Sequence, residues 1–259
     1  MKKILFLGYD KKKTKLIEEI KFHNKNISIK QTKKKVNLKT LKKFDTIISF
    51  GYRHVIDKKI IKNLKTPIIN LHISYLPYNR GAHPNFWSFV DNTPSGVSIN
   101  EIDGKIDTGR IIDQKIIDFE LFKNRKKLTF AETYKRLSNE IESLFLGNIN
   151  KILNNNFLSY KQIGKGSYHK AEDLPKLLKS WNQNIFQTIL KYNDFKKKEL
   201  DKKLIILNEI ENARKNNNLN WMNIIRTSLK NSPNKTLDIL KKINFDDNKI
   251  SDLFKSLLK

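Results

Sequence analysis

Short apolar runs alternate with stretches of helical periodicity through the first hundred residues, and that alternation leaves few folds open. Residues 3–8, KILFLG, have the unbroken apolar character of a strand buried on both faces and end at a glycine. Thr14 is placed to cap a helix running through about Phe22, with Leu16, Ile17 and Ile20 on its inner face. Residues 27–29, 45–50 and 67–71 read as three further strands, with Gly51 and a helical stretch over 57–64 between the last two. The pattern predicts βαβ units, hence an α/β chain with a doubly wound, Rossmann-like, mostly parallel sheet.

Pro84 suits the first turn of a helix, PNFWSFVDN, that offers Phe86, Trp87, Phe89 and Val90 for burial. Strands are predicted over 96–102 and 111–117, joined by the tight acidic connection EIDGKIDTGR. Thr129 with Glu132 matches a capping box for a long amphipathic helix to about Leu153. A Gly-rich loop follows at Gly164, with short helices expected around 174–178 and 185–190. Beyond Asn193 the pattern is helical only. The chain divides on this reading into a core over 1–165, a loop-and-helix segment over 166–195 and an appendage over 196–259. The appendage is read as three or four helices that bury Trp221 and Met222 in a small core of their own.

With no cysteine among its 259 residues, the chain has no disulfide, no thiolate nucleophile and no thiolate metal site. That fits a reducing compartment, and the protein is read as cytoplasmic. The N-terminal MKKILFLGYD is too short in apolar residues for a signal peptide, and no run reaches the length of a membrane span. The formal charge of +26 comes from 52 Lys+Arg against 26 Asp+Glu. The excess is nearly all lysine, scattered through every segment, which describes solvated faces better than a nucleic-acid surface. A positive field of this kind would still speed the encounter with polyanionic substrates.

Residues 70–81, NLHISYLPYNRG, carry the chemistry. Alternation along a strand points Asn70 and His72 to the same face at its carboxyl end, where open α/β sheets hold their ligands. Taken singly, such residues have plainer readings: a partly buried histidine with its hydrogen bonds met, an asparagine closing a strand, and, for Asp107, an Asx-turn residue. Taken together, NLHISYLP, the Arg80-Gly81 turn and the distant IDTGRII resemble the formyltransferase family that uses 10-formyltetrahydrofolate. The family signature is an Asn-x-His at a strand end, a Ser-x-Leu-Pro loop, an Arg-Gly turn and a distant Asp-Thr-Gly. The resemblance covers about residues 1–165, which makes that core the catalytic one.

The resemblance implies direct formyl transfer by Asn70, His72 and Asp107, with donors aimed at a negative oxygen and a base for the amine's proton. No covalent intermediate or metal is required. It places the folate pterin against Phe50, Gly51, Tyr52, Arg53, His54, Val55 and Ile56, a stretch that is otherwise an ordinary strand-to-helix turn. RGAHPNFWSF and GKGSYHKAEDLP are similar to the branch that formylates nucleotide-linked 4-amino-4,6-dideoxy sugars for surface polysaccharide such as O-antigen. On that branch Tyr75, Pro77, Arg80, Gly81, Pro84, Trp87, Tyr168 and His169 lie on the substrate side, although Trp87 also fits plain core packing. The chain departs from the family in placing Asn100 where many relatives carry His. It also lacks the phosphate loop of glycinamide ribonucleotide enzymes and the β-barrel of methionyl-tRNA enzymes. Those two substrates, or a non-catalytic basic nucleic-acid-binding role, are the alternatives. Dimerisation and docking to a partner of the same pathway are the two roles open to the appendage.

Overall fold

The computed structural model describes residues 1–121, 123 and 127–257, and the chain divides into two compact units, Met1–Asn193 and Asp194–Lys259. The first unit runs in the order β1 (Lys2–Gly8), α1 (Leu16–His23), β2 (Ile27–Thr32), α2 (Leu38–Leu41), β3 (Thr46–Phe50), α3 (Lys58–Lys62) and β4 (Ile68–His72). It continues with β5 (Arg80–Gly81), α4 (Pro84–Val90), β6 (Gly96–Glu101), β7 (Ile111–Ile116), α5 (Phe130–Leu153) and β8 (Tyr168–His169).

The sheet has the order β2-β1-β3-β4-β6-β7, parallel through β4 and antiparallel at β6 and β7. Period-2 alternation explains the apolar runs, because each central strand feeds two layers. Ile4 and Phe6 of β1 join a large cluster with Ile48, Phe50, Ile69 and Leu71, covered by α1, α4 and α5. Leu5 and Leu7 face the other way, into a smaller cluster with Ile47, Ile56 and Ile68. Thr14 acts one step outside α1: its hydroxyl accepts from Leu16 N–H at 3.2 Å and donates to Glu142 of α5 at 2.6 Å.

The capping box at Thr129 forms as expected, with Glu132 N–H donating to Thr129 Oγ1 at 3.2 Å and Thr129 N–H donating to the Glu132 carboxylate at 3.0 Å. Replacing Thr129 with Ala should cost about 1 kcal/mol, read as a lower urea midpoint with unchanged slope.

The second unit differs from expectation. Among the described residues it contains two helices and not three or four: the part of α6 (Ile185–Asn231) from Asp194 onward, and α7 (Pro233–Leu257). No Gly or Pro interrupts the 47 residues of α6, so nothing stops the helix before Ser232-Pro233. Trp221 and Met222 are correspondingly half exposed, so neither is buried in the small core expected for them. The turn expected to be helical at 174–178 is irregular, preceded by a single 3₁₀ turn at Ala171–Asp173. Among the described residues, no helix is long and apolar enough to cross a membrane.

Candidate active site

On the face of the sheet that carries the smaller cluster, the apolar series stops short of the strand ends. Ile47 is followed on that face by Ser49, and Ile68 by Asn70 and His72. The register sets Ser49 beside Asn70, Asn70 beside Asn100, and His72 beside Ser98. A polar patch therefore replaces the core at the carboxyl ends of β3 and β4, and a cleft of about 1280 Å³ opens over it.

Three side chains converge there. Asn70 Nδ2 lies 3.3 Å from Asp107 Oδ1 and 3.3 Å from Asn100 Oδ1, while Asn100 anchors its own amide by donating to the Glu101 carbonyl at 2.9 Å. Asn100 thereby fixes which edge of the Asn70 amide faces the cleft. Asp107 sits in the left-handed region at φ 51°, and its Oδ2 accepts from Gly81 N–H at 2.9 Å. Gly81 itself has φ +88°, and a Cβ there would collide with the His169 carbonyl across the β5–β8 pair. His72 is buried, and its Nε2 stands 3.7 Å from Asp107 Oδ2, too far for a hydrogen bond. That nitrogen has no hydrogen-bond partner among the described residues. A buried unpaired imidazole nitrogen beside a carboxylate and a primary amide suits an incoming oxygen.

Folding brings all of Phe50 to Ile56 to the cleft wall. Tyr52 and His54 turn their polar atoms outward, Tyr52 Oη to Lys34 O at 3.0 Å and His54 Nε2 to Lys33 O at 3.2 Å, so this loop is pinned from behind. Gly81, Pro84, Tyr168 and His169 also line the cleft. Tyr75, Pro77, Arg80 and Trp87 are not among its lining residues. Trp87 packs in the large core, stacked on His169 at 4.0 Å between ring centres, and His169 Nε2 is 2.8 Å from Asp91 Oδ2 without hydrogen-bond alignment.

A family model described as "Formyl transferase" matches residues 3–141, more than half of the chain. This chain belongs to the formyl transferase family. Its structure resembles that of the formyltransferase PseJ from Anoxybacillus kamchatkensis, solved with UDP-4,6-dideoxy-4-formamido-L-AltNAc and tetrahydrofolate. The two are 36% identical with a TM-score of 0.64, over 72% of this chain and 97% of that one. The bifunctional polymyxin resistance protein ArnA of Wigglesworthia glossinidia brevipalpis is 32% identical over 72% of this chain and 28% of its own length. GDP-perosamine N-formyltransferase of Brucella melitensis is 31% identical over 51% of this chain and 48% of its own. The chain thus spans about half, or less, of the length of these curated relatives.

Within the family fold, several cleft residues escaped sequence reasoning. Tyr9 and Tyr134 meet across the cleft, hydroxyl to hydroxyl at 2.8 Å, although 125 residues separate them. Burial, and then the Tyr9 hydrogen bond, push the Tyr134 phenol far above its ordinary range, so it stays protonated. His83 takes a left-handed φ of 54° and faces Trp181 at 5.4 Å between ring centres. Burial lowers its pKa, so the ring is neutral at neutral pH. Lys13, Lys105 and Lys170 join Arg53 in adding positive charge to the same cleft, alongside Glu101 and Glu172.

Proposed function

We propose that this protein transfers a formyl group from 10-formyltetrahydrofolate to the amino group of a nucleotide-linked sugar, with the 4-amino position as the acceptor. The observation that carries this reading is the convergence of Asn70, Asp107 and the unpaired His72 Nε2 at the floor of one cleft. The 36% identity with a protein solved with a UDP-linked 4-formamido sugar and tetrahydrofolate supports the same donor and acceptor classes. The Phe50–Ile56 wall has the apolar and backbone character suited to a flat pterin, and the lysines and Arg53 suit two anionic substrates.

The folate supplies an electrophilic formyl carbon on nitrogen. The sugar amine attacks that carbon, a C–N bond to the sugar forms, and the bond to the folate nitrogen breaks. Asn70 Nδ2 and His72 Nε2 would donate to the formyl oxygen as its negative charge grows; the present bonds of Asn70, both 3.3 Å, are long enough to yield to a charged acceptor. Asp107 would accept the amine proton, directly or through a water, and the departing folate nitrogen takes up a proton in turn. Tyr9, Tyr134, Tyr168 and Trp181 offer aromatic faces for the nucleotide base, a contact that discriminates bases weakly.

The test is turnover with 10-formyltetrahydrofolate and a panel of dTDP-, GDP- and UDP-linked amino sugars bearing the amine at different positions, read by product mass. One 4-amino sugar should react, and His72→Asn should lower its turnover by about 10²–10³-fold. Folate binding without reaction on any sugar would move the acceptor to another class; no folate binding would end the formyl-transfer reading.

A further inference from the structure

Asp107 depends on a side chain 55 residues away. Gln162 Nε2 donates to the backbone carbonyls of Asp107 and Gly109 at 2.9 and 2.7 Å. Its Oε1 accepts from Arg80 Nε and Nη2 at 3.0 and 2.6 Å. An amide offers two N–H donors and two lone pairs, so these four bonds saturate it and fix which edge faces which partner. The guanidinium fork of Arg80 approaches from one side and the Asp-Thr-Gly turn from the other.

The bonds close a ring. Arg80 and Gly81 are neighbours on β5, Gly81 N–H donates to Asp107 Oδ2 at 2.9 Å, and Gln162 ties the Asp107 carbonyl back to the Arg80 side chain. The turn needs such restraint, because Asp107 holds a left-handed φ of 51° that a non-glycine residue adopts only when its surroundings impose it. A Cβ on Gly109 would collide with the Glu101 carbonyl, so the turn also lies close against β6 and has little room for an alternative path.

We propose that Arg80 and Gln162 are a positioning pair that holds the Asp107 carboxylate in register with His72 and Asn70. Arg80 then serves the chemistry from behind the turn and makes no contact with the nucleotide. This assignment rests on Asp107 being the proton acceptor of the formyl transfer proposed above. Gln162 matters through both ends of its amide. A glutamate there still accepts from Arg80 but has no donor for the two carbonyls.

Gln162→Glu, Gln162→Ala, Arg80→Ala and the double variant Arg80→Ala/Gln162→Ala separate the possibilities. Each single change should lower kcat by about 100-fold through a displaced carboxylate, with KM for the nucleotide sugar unchanged. The double variant should be no worse than its worse parent, because both changes open one ring. A raised KM in Arg80→Ala, with losses that add in the double variant, would assign Arg80 to substrate binding and overturn the pair.

A second measurement needs no activity. Amide hydrogen exchange at Gly81, followed by NMR in the ligand-free protein, should quicken by about tenfold or more in Gln162→Ala as its bond to the Asp107 carboxylate loosens. Ile48 and Ile69 in the core should exchange as in the wild type, which shows that the variant is folded. Unchanged Gly81 exchange overturns the proposal whatever the substrate. Wild-type protein without turnover, together with faster Gly81 exchange in the variant, would count for the tie and against the formyl-transfer reading alone.

Discussion

Asp107→Asn should lower turnover by about 10²–10⁴-fold while leaving the fold intact, the range spanned by a positioned proton acceptor. Asparagine keeps the volume of aspartate and an oxygen for Gly81 N–H, so the 2.9 Å bond that joins the Asp-Thr-Gly turn to β5 can survive. What it lacks is a basic oxygen. It also removes the negative charge 3.7 Å from His72 Nε2, so an imidazolium there would lose its counter-charge. Steady-state rates by product mass, beside the thermal midpoint of the same preparation, separate chemistry from folding. A variant with wild-type turnover would remove Asp107 from the reaction and return it to the Asx-turn residue that its local sequence equally describes.

Phe130→Ala should have the largest effect on stability, about 3–5 kcal/mol. Phe130 is fully buried at the first position of α5, with ring centres 5.3 Å from Phe86, 6.2 Å from Phe89 and 6.3 Å from Trp181. Its carbonyl also accepts from Asn85 Nδ2 at 2.9 Å, which ties the start of α5 to α4. Removing the ring leaves a cavity between two helices and the cleft floor, where neighbouring aromatics cannot close in without losing their own contacts. For a unit of this size the thermal midpoint should fall by roughly 6–20 °C. Phe22→Ala, at a side chain 82% exposed, is the matched control and should change little. A small shift in Phe130→Ala would mean that the aromatic cluster repacks freely.

The strands were legible in the sequence because parallel strands buried on both faces read as near-continuous apolar runs, and β1, β3 and β4 differ from expectation by a residue at most of their ends. Asn70 and His72 were legible as a pair because the side-chain period of a strand is fixed, so two residues apart means one face whatever the fold. The cap at Thr129 was legible because its partner Glu132 lies within the same turn.

Other features carried no local signal. Gln162 lies in an irregular stretch beside the Ile111–Tyr160 bridge, and nothing in its neighbours marks it. Nor does anything near Arg80 in the sequence show that its guanidinium meets an acceptor on Gln162, 82 residues away. The half-exposed Trp221 misled for a related reason: helical spacing of apolar residues announces a face without saying whether anything covers it.

The sequence by itself therefore determined the elements, their alternation into an α/β sheet and the strand end on which Asn70 and His72 sit, since each follows from backbone periodicity and neighbours a few residues away. Only the tertiary structure decided what stands opposite them. Asp107 reaches Asn70 across 37 residues and Gln162 reaches Asp107 across 55, and such distances are set by how the whole chain closes its core.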